Sequence, residues 1–305
     1  MGDSQTVQQV SAGRQPILQG RVAVVTDTVA QIDPQTASGL GIMVVPMKLA
    51  LGDREYRDGI DISPAELYRR MREDKVLPRT SSPSVGEYES AFRTLLAGGA
   101  TGVVCLTLSS RLTMAFTAAS LAAATMRAEF PPQPVEVVDT RTAARAEGFV
   151  ALKAARAAAE GASMEEVVAA AQSARERVGL VATVDTLEYL VRGGRVNLAV
   201  GFLGDLLQVK PLLTIQGDGT ATCIARKRTR RAALEYMIQY VAERLDSHTR
   251  LELAVMHADA AEEASELQKR AAEVWPEAEV AITDFTAVMG GHTGPGLIGL
   301  AYYYE

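Results

Sequence analysis

Gly102-Val103-Val104-Cys105-Leu106-Thr107-Leu108-Ser109-Ser110 decides the class of this fold. The first five residues leave no polar face, as expected of a strand whose sheet is covered on both sides. The run stops in hydroxyls, and an alanine-rich helical stretch, Ala115 to Phe130, comes next. Strand, polar turn and helix make the repeating unit of a parallel sheet. The same order recurs on either side. Val22-Ala23-Val24-Val25 ends in Thr26-Asp27-Thr28, and Pro134-Val135-Glu136-Val137-Val138 ends in Asp139-Thr140. Ile42 to Leu51 reads as one extended stretch turning at Gly52-Asp53. Ser63-Pro64-Ala65-Glu66 is a capping box with proline at the first helical position, which predicts a helix over Pro64 to Asp74. Further helices are expected over Ala143 to Ala159 and Ser163 to Val178, split by Gly161.

After Val178 the pattern changes. A strand is expected over Gly179 to Val184, and Gly193-Gly194 breaks the next stretch of chain. Pro211 to Ile215 and Ala221 to Ala225 flank Gly217-Asp218-Gly219, a strong hairpin signal. Helices over Arg230 to Leu245 and Ala260 to Val274 surround a strand, Leu251 to Met256, and the last strands lie near Val280 to Phe285 and Leu297 to Tyr304. The reading is α/β with two domains. Residues 21–178 form a three-layer α/β/α unit on a parallel sheet, and residues 179–305 form a two-layer unit on a mixed sheet. Residues 1–20 read as a disordered polar leader.

Composition narrows the function. The 305 residues are 48% hydrophobic and 22% charged, with a net charge of −6 and only 5% aromatic residues. An acidic chain poor in aromatics lacks both the basic face and the stacking platform of a nucleic-acid binder. The longest uncharged stretch, Leu112 to Met126, is shorter than the roughly 20 residues a bilayer demands, so no stable membrane insertion is expected. Cys105 and Cys223 lie in apolar runs without a C-x-x-C pair and are expected to be buried free thiols, which points to the cytoplasm. His248, His257 and His292 are too scattered for a metal site, and neither a P-loop nor a nucleophile elbow is present. Gly294-Pro295-Gly296-Leu297-Ile298-Gly299 matches G-x-G-x-x-G but has no room for the βαβ unit a dinucleotide site requires. No cofactor is expected.

What remains is a set of hydroxyls. In an open parallel sheet, ligands sit outside the carboxyl ends of the strands. Those ends carry Thr26, Asp27 and Thr28, then Ser109 and Ser110, then Asp139 and Thr140, with Thr80-Ser81-Ser82-Pro83-Ser84 adding more before a helix. Each serine alone is an ordinary helix cap. Several such loops converging at one sheet edge favour binding of an anion, through hydroxyl and backbone N–H donors. The glycines beside His292 permit close backbone approach, which favours a head-group role for that histidine. The basic run Arg226-Lys227-Arg228-Thr229-Arg230-Arg231 is either a solvated helix start or a docking patch for an acidic partner.

Four blocks together resemble the DegV family. They are Thr80-Ser81-Ser82-Pro83-Ser84, Leu106-Thr107-Leu108-Ser109-Ser110-Arg111-Leu112, Leu187-Glu188-Tyr189-Leu190-Val191-Arg192-Gly193-Gly194-Arg195-Val196, and His292-Thr293-Gly294-Pro295-Gly296. Their order and spacing match from about Arg21 onward. The resemblance implies a two-domain DegV-like fold with a long-chain fatty acid buried between the domains. It implies a lipid-binding protein, not an enzyme in its own right. Such a protein presents the fatty acid carboxylate to a separate fatty acid kinase subunit for phosphorylation to acyl phosphate. Carried over by position, the ligand-binding residues are Thr80, Ser81, Ser109, Ser110, Thr113, His292 and Gly294, and the kinase-docking residues are Arg195 and Arg228. Two departures stand out. Ser82 occupies the family's usual glutamine position, and Met114-Ala115 replaces the usual Gly-Thr beside the serine pair. A lipid sensor or trafficking protein without a kinase, and a small-molecule phosphotransferase related to dihydroxyacetone kinase, are the alternatives.

Overall fold

The computed structural model describes residues 20–74, 76–193, 209–245 and 250–305. Chain order begins with β1 (Val22–Asp27), α1 (Pro34–Leu40), β2 (Ile42–Val45), β3 (Lys48–Leu51), β4 (Arg54–Arg57), α2 (Pro64–Glu73), β5 (Arg79–Ser81) and α3 (Val85–Ala97). It continues with β6 (Gly102–Thr107), α4 (Ala115–Glu129), β7 (Val135–Asp139), α5 (Ala144–Ala159), α6 (Met164–Arg175), β8 (Val178–Thr183) and α7 (Glu188–Arg192). The rest is β9 (Lys210–Ile215), β10 (Ala221–Lys227), α8 (Arg230–Ala242), β11 (Leu251–His257), α9 (Ala261–Val274), β12 (Glu279–Asp284), α10 (Ala287–Thr293) and β13 (Ile298–Tyr304).

The first sheet is parallel with order β2-β1-β6-β7. Side chains alternate across it, as the strand repeat demands. Ala23, Val25, Val103 and Cys105 face α3 and α4, whereas Val22, Val24, Val104 and Leu106 face the cluster that includes α5. The second sheet is mixed, with order β10-β9-β8-β13-β11-β12 and a single parallel pair, β11 with β12. Its Val181, Val255 and Leu300 pack under α8 and α9, while Leu180, Met256 and Ala301 join the cluster built on the first domain. Helices therefore cover one face of the second sheet, and the first domain covers the other. This is the expected α/β architecture with two domains.

Three details differ from the sequence expectation. Ile42 to Leu51 is not one strand: β2 joins the parallel sheet, and β3 joins a small antiparallel sheet of order β4-β3-β5. Pro46 stands between them and cannot donate to a ladder, so the chain changes sheets there. Helix α6 stops at Arg175, and Val178 already belongs to β8. Cys105 is buried as expected, but Cys223 is only half-buried. The glycine-rich Gly294 to Gly299 leads out of a helix and into β13, the reverse of the strand-to-helix order of a dinucleotide fingerprint.

Two buried carboxyls underlie the sheet edge that carries the hydroxyls. Asp27 accepts from the Val29 N–H at 2.9 Å, and Glu147 accepts from the Thr26 hydroxyl at 3.2 Å. Their second oxygens are buried with no hydrogen-bond partner among the described residues. Burial pushes Asp27 up to about 7, with nearby Asp58 adding to the shift. Burial and the Asp27 charge push Glu147 well above the ordinary carboxylate range. A folded-state pKa above the unfolded value of about 3.9 gives stability that is complete below about pH 4 and is lost as pH rises through about 7. Urea unfolding of the wild type will therefore show stability falling across this window, by at most about 1.4 kcal/mol per pH unit per proton. Asp27→Asn will flatten the fall; an unchanged slope in that variant would refute the assignment.

Candidate functional site

Where the two sheets meet, an apolar cavity remains. Its volume, measured as the space open to the centre of a water-sized sphere, is about 130 Å³. At some 10–15 Å³ for one such sphere, that is on the order of ten positions. The alternation of β8 and β11 places Leu180, Ala182 and Met256 on its floor, and Leu213 joins them from β9. Val29, Leu108 and Ala143 close it from the loops of the first domain, Ala144 from the start of α5, and Phe285, Val288 and Met289 from the entry to and body of α10. Polar groups on its lining are few: Thr80, Thr113, Thr214, His292 and Thr293.

Thr80 and His292 form the polar contact at one side. Thr80 lies on β5, His292 in the last turn of α10, and Thr80 Oγ1 stands 2.7 Å from His292 Nε2. The imidazole tautomer decides which of the two donates. Outside this pair the surface opens into a second depression of about 290 Å³, whose lining includes Arg79, Arg192, Tyr189 and Gly193. The pair thus stands between an apolar interior and an outer depression that carries Arg79 and Arg192, the latter ion-paired with Glu188 at 2.8 Å. One proton is spent in the mutual contact of Thr80 and His292, which leaves the neutral pair one O–H or N–H with which to donate to a further group.

The remaining expected site residues take other positions. Ser81 follows Thr80 on the same strand and points the opposite way, into solvent. Ser109 is buried outside the cavity lining, and its hydroxyl donates to the Gly219 carbonyl at 2.8 Å while accepting from the Arg111 N–H. This bond joins the first domain to the β9–β10 hairpin, whose Gly219 has φ +86 and leaves no room for a Cβ against Ser109. Ser110 is exposed and donates to Asp139 Oδ2 at 2.6 Å. Thr113 lines the cavity and accepts from the Ala115 N–H at 3.2 Å. Gly294 ends α10 at φ +75, where a Cβ would strike the Tyr189 ring. Arg228 is exposed just before α8, and Arg195 lies outside the described residues. No α4 residue lines the cavity; its Ala119, Ala122 and Ala123 pack with α3. His257 ends β11 and bonds locally, accepting from the Ala260 N–H at 3.5 Å. Sequence reasoning missed the apolar lining. Alternate residues of the β8 strand were the signal for it.

A parallel-sheet domain and a mixed-sheet domain enclosing an apolar cavity with a polar pair at its side define a two-domain α/β protein. The DegV family's sequence model matches residues 21–305, and the chain belongs to the DegV family. A DegV domain-containing protein of Streptomyces coelicolor is 36% identical over 280 residues, covering 92% of this chain and 97% of that relative. Among solved structures, a fatty-acid-binding DegV family protein from Thermus thermophilus superposes with a TM-score of 0.86 at 31% identity, covering 93% of this chain and 100% of the other. DegV from Bacillus subtilis, a fatty acid binding protein, gives a TM-score of 0.85 at 28% identity, covering 93% and 99%.

Ser109→Ala will leave the Gly219 carbonyl without its side-chain donor and lower stability by about 1–3 kcal/mol, read as a shift of the urea midpoint at constant m-value. No measurable shift would show that the hairpin is held by other contacts.

Proposed function

We propose that this protein binds a long-chain fatty acid in the cavity between its sheets and presents the carboxylate to a separate kinase subunit, which phosphorylates it to acyl phosphate. The observation that carries the reading is the apolar cavity flanked by the Thr80–His292 pair, with Arg79 and Arg192 on the open side. Fatty acid binding by the Thermus thermophilus and Bacillus subtilis relatives supports the ligand class.

Each buried methylene contributes ~0.8 kcal/mol, so an acyl chain of about sixteen carbons gains on the order of 12 kcal/mol gross before ordering costs. The head group then needs orientation more than affinity. Thr80 and His292 supply donors, and Thr113 and the neighbouring Ser109, Ser110, Ser81 and Gly294 shape the surrounding loops. A carboxylate held by a hydroxyl and an imidazole keeps an oxygen lone pair directed toward the outer depression, from which a donor phosphoryl group approaches. That oxygen attacks phosphorus, the bond from the terminal phosphorus to the bridging oxygen of the donor nucleotide breaks, and the nucleotide leaves with the electron pair. The apolar lining favours this reading over a small polar substrate, which would leave its hydrogen-bonding groups unmatched against Leu180, Leu213 and Met256. Arg228 and Arg195 are the proposed kinase contacts, and the exposure of Arg228 suits that role.

Denaturing the purified protein in organic solvent and identifying the released lipid by mass spectrometry will give one fatty acid per chain. Ala182→Phe, which fills the cavity floor, will reduce that yield at least tenfold in folded protein. Lipid-free wild type, or an unchanged yield in Ala182→Phe, would contradict the cavity assignment. In a reconstituted mixture with kinase and ATP, Arg228→Ala will retain the lipid and lose acyl phosphate formation. Survival of activity would remove Arg228 from the docking surface.

A further inference from the structure

His292 owes its position to a helix of only seven residues, α10. Helices this short do not hold themselves in water, so the placement of α10 must come from its attachments. At its start, the Ala287 N–H donates to Asp58 Oδ1 at 3.1 Å. A carboxylate there complements the unpaired amides and the positive end of the helix dipole. Asp58 does not belong to α10 or its domain. It follows β4, is 1% exposed, and its own N–H donates to the Met47 carbonyl at 2.8 Å. Its other oxygen accepts from the Thr28 hydroxyl at 2.9 Å, and that hydroxyl in turn accepts from the Met47 N–H.

The body of α10 is equally constrained. Gly290 lies so close to the Tyr68 ring that a Cβ would collide with it, and Gly291 likewise faces Pro78. The Tyr68 hydroxyl donates to the Phe285 carbonyl at 3.0 Å, just before the helix. With its start held by Asp58 and its flank by α2, the helix carries His292 about 7.5 Å farther along the axis, five residues at 1.5 Å each, to meet Thr80. Both ends of α10 are thereby attached to the first domain.

We propose that Asp58 is a positioning residue: by capping α10 from the opposite domain it sets the axis that brings the His292 ring to Thr80. The inference rests on the head-group role given to His292 above, but its first readout needs no ligand.

The test uses ring-nitrogen NMR of unliganded protein labelled at histidine nitrogen, with the His292 signals assigned by their loss in His292→Ala. In the wild type, His292 will show one fixed tautomer with a hydrogen-bonded ring nitrogen. Asp58→Ala will shift these signals toward those of free imidazole. Asp58→Asn, whose carboxamide oxygen still accepts from Ala287, will restore them. Thr28→Val, a milder change at the other carboxylate oxygen, will move them in the same direction as Asp58→Ala and decides the matter if that variant does not fold. A second readout is fatty acid affinity. Asp58→Ala will weaken it about tenfold, and the same change will have little effect once His292 is alanine. Unaltered His292 signals in Asp58→Ala or Thr28→Val, with only stability lost, would overturn the proposal. Failure of the wild type to bind fatty acid, with the ring signals behaving as described, would instead overturn the function and leave the positioning role standing.

Discussion

The contact between Thr80 and His292 is the constraint around which this molecule is arranged. The two residues are 212 apart in sequence and their side-chain atoms are 2.7 Å apart. Thr80 reaches the contact from a three-stranded antiparallel sheet attached to the first domain, and His292 from a helix inserted before the last strand of the second. Neither element is large enough to hold itself. Tyr68, Asp58 and Pro78 fix the helix, while β3 pairs with the strand that carries Thr80. If the domains separate, the pair is lost and the cavity opens.

That dependence links packing to the proposed chemistry. The face of the second sheet that meets the first domain is apolar, and it packs into one continuous core with the first domain except where the cavity remains. Native interiors are close-packed, so an apolar void of this size is costly to keep empty. In the proposed complex an acyl chain recovers the missing contacts. The same burial that favours the chain would penalise a buried carboxylate, and the position of Thr80 and His292 between the cavity and the outer depression resolves the conflict. In that proposed arrangement the hydrocarbon stays dry while the charge remains at the wet edge.

Much of the architecture was legible in the sequence, because buried parallel strands are apolar on both faces and end in polar turns. Val22 to Val25 and Gly102 to Leu106 show this plainly, and Gly217-Asp218-Gly219 announced the hairpin. The small antiparallel sheet was not legible. Ile42 to Leu51 is apolar but for Lys48, and only Pro46 hints that one run serves two sheets. The helix of His292 was hidden for a different reason. Gly290 and Gly291 argue against a helix by propensity, yet packing against Tyr68 and Pro78 requires residues without a Cβ. For the site, the sequence identified hydroxyls by their location at strand ends but not their direction. Ser109 and Ser110 are adjacent, and one ties down a hairpin while the other bonds Asp139 at the surface. Asp58 carries no motif, since its role exists only once two domains have met.

The proposed function stands on one arrangement, a fatty acid with its carboxylate at Thr80 and His292 and its chain in the cavity. Carbon NMR of a fatty acid labelled with carbon-13 at the carboxyl carbon, bound to the protein, observes that head group itself. One bound carboxyl resonance is expected, displaced from that of the free acid, and it will move in both Thr80→Val and His292→Ala. A bound resonance that neither substitution moves would place the head group elsewhere and overturn the arrangement.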